Sequence, residues 1–204
     1  MRSDYLSLRV NICGAPSTYK TTVCTALESK LKQDKLNAET SKEYARHYIA
    51  TYGIPKDLHE QLIIQSNQET RDRAVDETNQ IMLSDTPAMA SYLFGKRLLD
   101  NLMRKQNTKE PTKAEYKFLE ELYMKTLKKT YWFDLIVVFP PTGTIVEDGV
   151  RHESIKDQLD IYNGIIGFLN LNNVKYYEVG GEVEDRIQSC YELILRTMEM
   201  ESYN

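Results

Sequence analysis

Residues 9–22 read RVNICGAPSTYKTT, and how this stretch is parsed decides the fold. Leu6 to Cys13 alternates apolar with polar residues and stops at Gly14, the pattern of a buried strand ending in a turn. From Thr21 to Lys35 the apolar residues Val23, Leu27 and Leu31 recur every four positions, which marks one helix face. The loop between them carries Gly14, Lys20 and Thr21 at the first glycine, the lysine and the hydroxyl of G-x-x-x-x-G-K-[ST]. In such a loop backbone N–H groups surround phosphates, the lysine reaches the outer oxygens and the hydroxyl meets Mg²⁺. Tyr19 stands where the motif has its second glycine. It fits if the chain enters the helix there with a right-handed backbone and turns the ring away, and that is the conformation expected. The competing reading is a plain strand-to-helix corner, shaped by Gly14 and Pro16, with Lys20 solvated in a first helical turn.

Outward from this loop, strands and helices alternate. A short strand is expected near Leu36–Ser41, helix from Lys42 to Tyr52, a turn at Gly53-Ile-Pro55, and a long polar helix from Asp57 to Glu77. Gln80–Asp85 is a third strand. Helices follow over Ala88–Lys105 and Pro111–Lys129, the second opened by Pro111. Leu135–Phe139 is an unbroken apolar run stopped by Pro140-Pro141, the clearest buried strand in the chain. After the loop Thr142–Arg151 come a helix over Ile155–Asn170, a fifth strand over Val174–Val179, a turn at Gly180-Gly181 and a closing helix over Glu182–Met198. This order implies an α/β fold, a five-stranded and mainly parallel sheet with helices on both faces.

Composition narrows the partners. The chain has 204 residues, 41% hydrophobic and 27% charged, so a single domain over 1–204 with a full core is expected. A net charge of −4 argues against a surface built to grip duplex DNA and favours a small target. Three cysteines, Cys13, Cys24 and Cys190, make neither a disulfide framework nor a zinc site, which points to a reducing, cytoplasmic compartment. No apolar run approaches the roughly 20 residues of a membrane span, and the polar start MRSDYLSLR lacks the apolar core of a signal peptide. Oligomeric state is not legible.

Acidic residues at strand ends are candidates for metal and nucleophile. Asp85 follows Ile81–Leu83, and Thr86-Pro87 breaks the strand behind it; it reads as an Mg²⁺ or nucleophile-positioning acid, or as a helix N-cap. Glu43 follows the second strand and could face the same cleft, or serve as a first-turn acid of its helix. Val146–Arg151 follows the strongest strand and could close over phosphates, with Arg151 stabilising charge during transfer; a surface turn at Asp148-Gly149 accounts for the same letters. Lys156 reads as a supporting cation or a solvated lysine. Arg71 and Arg73 could meet an anion but are ordinary on an exposed helix. His47, His59 and His152 show no ligand spacing, and Tyr44, Tyr48 and Tyr52 share one helix face as packing residues do.

In order along the chain, GAPSTYKTT, SKEYARHYIATYGIP, SDTPAMASYLFG, FDLIVVFPPTGTIVEDGVR and VKYYEVGGEVEDRI resemble the P-loop kinase family of the ribosylnicotinamide kinase domain in the bifunctional bacterial NAD-biosynthesis regulator. Small stand-alone relatives, usually labelled AAA-type ATPases, are frequent in bacteriophages; the similarity runs from about Val10 to Ile187. The resemblance implies one P-loop nucleoside or nucleotide kinase domain, with a mobile lid at about 140–156 that carries Arg151. It implies ATP and Mg²⁺ as cofactors, with Gly14, Ala15, Pro16, Ser17, Thr18, Tyr19, Lys20, Thr21, Thr22 and Gly181 around the nucleotide. Thr21 and Asp85 would lie at the metal, and Glu43 and Asp85 near the acceptor hydroxyl. The acceptor would be a small nucleoside or nucleotide, nicotinamide riboside-like or a deoxynucleotide, in the host cytoplasm if the protein is phage-encoded. Two departures, Tyr19 for glycine and Lys156 where such lids often place a second arginine, bear on rate more than on nucleotide binding. Two other readings are a slow or non-catalytic ATP-binding module that regulates another protein, and a kinase of a modified base in DNA, against which the acidic charge weighs.

Overall fold

The computed structural model describes residues 7–145 and 154–202. Along them run β1 (Leu8–Gly14), α1 (Lys20–Gln33), β2 (Ala38–Ser41), α2 (Tyr44–Tyr52), α3 (Leu58–Asp76), β3 (Ile81–Ser84), α4 (Ala90–Gln106), α5 (Lys113–Thr130), β4 (Leu135–Phe139), α6 (Ile155–Leu171), β5 (Tyr177–Glu178) and α7 (Val183–Ser202). The strands form one sheet in the order β2-β3-β1-β4-β5, and every pairing is parallel. The chain leaves β1 through α1 for β2 on one side, and later crosses from β3 past β1 to β4 on the other, so the direction of the connections reverses at β1. The crevice beyond the carboxyl ends of β1 and β3 is where such sheets take ligands.

Two expectations shift at their edges. The fifth strand shrinks to two residues, Tyr177 and Glu178, which pair with Val137 and Val138 of β4 at the sheet edge. Pro111 does not open α5. Thr112 is the N-cap and makes a capping box with Glu115, so the proline sits one residue outside the helix.

Side-chain alternation along the strands divides the core. Val10 and Ile12 of β1 face α1 and α7, where Val23, Leu27, Leu31, Cys190 and Ile194 cover them. Cys13, Met82, Ile136 and Val138 face the other way, under Met89, Ile165, Phe168 and Leu169 of the α4 and α6 side. All three cysteines are free and buried, and burial pushes the Cys13 and Cys190 thiols up to about 12. A third cluster, Leu58, Leu62, Leu99 and Leu122, ties α3 to α4 and α5. Among the described residues no helix is long and apolar enough to cross a membrane.

One ion pair lies inside this core. Lys129 Nζ stands 2.7 Å from Asp72 Oδ2, while Asp72 Oδ1 accepts from Ser41 Oγ at 2.6 Å and from Gln68 Nε2 at 2.9 Å. The pair joins α3 and α5 to the end of β2. Replacing Lys129 by methionine strands a buried carboxylate, so Lys129→Met is expected to lower stability by about 3–5 kcal/mol, read as a shift of the denaturation midpoint. A loss under about 1 kcal/mol would contradict this weight for the pair.

Candidate nucleotide site

The loop between β1 and α1 is held from outside by its carbonyl groups. Ala15 O accepts from Thr18 Oγ1 at 2.7 Å and from Lys20 Nζ at 2.8 Å. Pro16 O accepts from Gln158 Nε2 at 2.9 Å, Ser17 O from Thr142 Oγ1 at 3.2 Å, and Thr18 O from Arg186 Nη1 at 3.1 Å. Tyr19 O takes the amide of Val23 and starts α1. With four successive carbonyls tied to surrounding donors, the loop is fixed next to a helix N-terminus, an arrangement that receives anions. Gly14 permits it: a Cβ there would come within 2.7 Å of Thr18 Oγ1 and 3.2 Å of the Phe139 carbonyl oxygen.

Tyr19 does not take the right-handed backbone expected for it. It sits at φ 64, ψ 19, left-handed, as N-cap of α1, and Ser17 is also left-handed at φ 60. The demand that the motif normally meets with glycine therefore persists here, and a residue with a Cβ meets it at a cost of about 1–2 kcal/mol. The donors gripping carbonyls 15–18 impose the conformation against the local preference. Tyr19 is 39% exposed and lines the cavity over the loop. Tyr19→Gly should raise stability by about 0.5–1 kcal/mol, the relief of strain less the greater chain entropy of glycine. ATP affinity should stay within about tenfold, roughly 1.4 kcal/mol. A denaturation midpoint that falls in Tyr19→Gly would contradict the strain.

Facing the loop is the end of β3. Thr21 Oγ1 donates to Asp85 Oδ2 at 2.6 Å, and Asp85 Oδ1 is buried with no hydrogen-bond partner. The N-cap alternative for Asp85 is not realised, since α4 starts at Ala90 with Met89 as its cap. Asp85 is held there by Asn11, a buried amide in the apolar run of β1, which donates to Thr86 O at 2.7 Å and accepts from Ala88 N at 2.9 Å. Burial is the largest influence on the Asp85 carboxyl and pushes it up to about 6, against the Thr21 hydrogen bond and the Lys20 charge; Glu43 adds to the upward push. A buried carboxylate oxygen without a donor, beside a hydroxyl, suits a hard cation. Among the described residues no three or more His, Cys, Asp or Glu converge on one point. The donor set thus fits Mg²⁺, which takes one or two protein oxygens and completes its shell with phosphates and water.

A cavity of about 300 Å³ opens over the loop, lined by Gly14, Pro16–Thr22, Glu43, Arg46 and Asp85. A second cavity, of about 250 Å³, lies between α3 and α4 and shares Glu43, Pro87, Ala90 and Phe94 with the first. Glu43 is N-cap of α2 without a side-chain capping bond and lies 3.6 Å from Arg46. Gly181, in the turn before α7, lines neither cavity; its carbonyl accepts from Arg186 Nε at 2.9 Å, which connects it to the loop through that guanidinium. Arg151, with the rest of 146–153, lies outside the described residues, and Lys156 is exposed on the first turn of α6. Arg71 covers the Tyr44 ring and Arg73 pairs with Glu69, both away from the cavities. Tyr44, Tyr48 and Tyr52 pack on one another.

Four contributors escaped sequence reasoning. Arg46 is one helical turn after Glu43, and that spacing was a usable signal. Asn11 signalled itself as the amide in an apolar strand. Gln158 and Arg186 gave none.

A parallel sheet with this loop at the switch point, and a hydroxyl–carboxylate pair at its end, is the P-loop NTPase fold. The chain belongs to the AAA domain family, whose model matches residues 9–186. A search of curated proteins gives no significant match. Similar solved structures include a NadR protein in complex with NR, with TM-score 0.75 and 23% identity over 95% of this chain and 52% of that one. Another is a NadR protein in complex with NAD and AMP-PNP, with TM-score 0.69 and 22% identity over 92% of this chain and 49% of the other. The thymidylate kinase of Candida albicans superposes with TM-score 0.68 and 13% identity over 96% of this chain and 95% of that one. At these identities the likeness establishes the fold. The chain spans about half the length of the NadR chains it matches.

Proposed function

We propose that the protein transfers the γ-phosphoryl group of ATP to a small nucleoside or nucleotide. The observation that carries this reading is the Thr21–Asp85 contact of 2.6 Å at the loop, with a second cavity opening beside it past Glu43. One cavity suits the donor nucleotide and the other the acceptor. Lys20 and the N–H groups of the loop residues other than Pro16 would bind the β- and γ-phosphates. Thr21 and Asp85 would hold Mg²⁺, which when bound neutralises charge on the transferring group. Glu43 lines both cavities, which suits it to the acceptor: it would orient the hydroxyl and take its proton as the acceptor oxygen bonds to γ-phosphorus and the bond to the β,γ-bridging oxygen breaks, releasing ADP. If the acceptor is a phosphate, no proton moves, and the neighbouring Arg46 would offset its charge. Arg151 is the candidate for clamping the transferring group.

The reading treats 1–204 as one kinase unit. Its test is ADP release in the presence and absence of acceptors. Release stimulated by a nucleoside or nucleotide supports it; release at one slow rate whatever acceptor is added would favour an ATP-binding module acting on another protein.

A further inference from the structure

The cavity between α3 and α4 holds polar groups, one of which the protein leaves unmatched. Gln61 is 7% exposed and Ser91 8% exposed, and both line the cavity with their polar side chains. Gln65, 2% exposed, donates through Nε2 to Thr126 Oγ1 at 3.1 Å, and its Oε1 is buried without a partner. Turning the amide over only moves the vacancy to the nitrogen, because Thr126 is a single partner. One turn further on, Gln68 is fully engaged, accepting from Tyr44 N at 2.6 Å and donating to Asp72 at 2.9 Å. Buried polar atoms are ordinarily paired, and each unpaired one costs about 1–3 kcal/mol. Gln65 Oε1 is such an atom, and beside it the polar ends of Gln61 and Ser91 open into the same cavity; together they mark a place where a ligand completes the hydrogen bonds. Gly95 brings the two helices close enough to form that wall: a Cβ there would meet Leu122 at 3.0 Å and Leu58 at 3.3 Å.

Charge decides what kind of ligand. The charged residues lining the cavity are Glu43, Arg97 and Lys129. Lys129 is paired with Asp72 and Arg97 with Asp157, so their carboxylate partners are already engaged, and Glu43 stands beside Arg46 at the end shared with the nucleotide cavity. The wall formed by Gln61, Gln65 and Ser91 carries no carboxylate, and the nearest formal charge lining the cavity from α5 is the Lys129 ammonium. A cationic ring seated there would lose its water with no carboxylate on that wall to offset its charge. A neutral heterocycle with donors and acceptors on its edge would satisfy the amides and the hydroxyl while its faces lie against Ile64, Ala88 and Phe94.

Resting on the kinase reading, we infer that the acceptor carries an uncharged, hydrogen-bonding base, held between α3 and α4 and read by Gln61, Gln65 and Ser91. A cationic pyridinium nucleoside such as nicotinamide riboside is discriminated against. The base end of the acceptor thereby points away from Asp85, and its ribose end lies toward Glu43 and the loop.

The test is calorimetric titration of the full chain, with a non-hydrolysable ATP analogue and Mg²⁺ present. The probes are thymidine, cytidine, adenosine and guanosine, each also as the 5′-monophosphate, against nicotinamide riboside and its monophosphate. At least one uncharged-base probe is expected to bind ten or more times tighter than its nicotinamide counterpart. Gln61→Leu should weaken that probe at least tenfold, and Gln65→Glu should narrow or reverse the preference against the cation. Nicotinamide riboside binding as tightly as every uncharged base, no probe binding at all, or Gln61→Leu leaving the affinity unchanged would each overturn the inference. Titration with the ATP analogue alone reports the loop separately. An analogue that fails to bind counts against the proposed function itself; an analogue that binds while the cation wins counts against this inference only.

Discussion

Lys20→Ala is expected to abolish ATP-dependent turnover, by about 10³-fold or more, with the denaturation midpoint essentially unmoved. The side chain is half-buried over the loop and donates to Ala15 O, an acceptor that keeps Thr18 Oγ1 when the lysine is gone. The Ala15 carbonyl therefore stays paired in the folded variant. Phosphate binding loses its charge-assisted hydrogen bond, about 1.5–3 kcal/mol, or roughly tenfold to a hundredfold in ATP affinity. Turnover falls further than affinity because the charge grows on the transferring group. Calorimetric ATP affinity equal to that of the natural protein in a folded Lys20→Ala variant would remove the lysine from the phosphates.

Asp85→Asn should separate stability from activity in opposite directions. The Asp85 carboxyl titrates at about 6 in the fold against an ordinary 3.8, because burial disfavours its charge. The folded state thus holds this proton more tightly than the unfolded chain. The stability so gained is complete below about pH 4 and is lost as pH rises through 6. At pH 7.5 the metal-free protein carries the buried charge, a penalty of up to about 3 kcal/mol. Asparagine is never charged and still accepts from Thr21, so the metal-free variant should be more stable by about 1–3 kcal/mol at pH 7.5, with the gap closing toward pH 4. Mg²⁺-dependent turnover should fall by about 10²–10⁴-fold. Melting curves at both pH values, with and without Mg²⁺, give the check. Natural turnover together with an unchanged, pH-independent midpoint would leave Asp85 without either role.

The parts of the fold legible in the sequence are those specified locally. Leu135–Phe139 is a continuous apolar run closed by two prolines, and β4 occupies those same residues. Gly14, Lys20 and Thr21 announce the loop because the motif encodes a local backbone shape together with its chemistry. The left-handed conformation of Tyr19 is not legible locally, for a physical reason. Local sterics favour φ below zero for any residue with a Cβ, yet the donors holding carbonyls 16–18 arrive from Thr142, Gln158 and Arg186, distant in sequence. Gln158 and Arg186 lie 142 and 168 positions from the carbonyls they bind. A glutamine or arginine in an amphipathic helix looks the same in the sequence whether it is solvated or anchoring a loop. The same holds for α3, which reads as a long polar helix. Its Gln61, Gln65, Gln68 and Asp72 fall on one stripe, and that polar stripe, against the usual rule, is buried.

The most direct test of the account follows the labelled γ-phosphate of ATP. The natural protein, ATP·Mg²⁺ and a panel of nucleosides and nucleotides are incubated together, and the products are separated and their masses measured. The account predicts label on a phosphorylated nucleoside or nucleotide, lost in Lys20→Ala. Label recovered only as inorganic phosphate, or remaining in ATP with every acceptor, would contradict it.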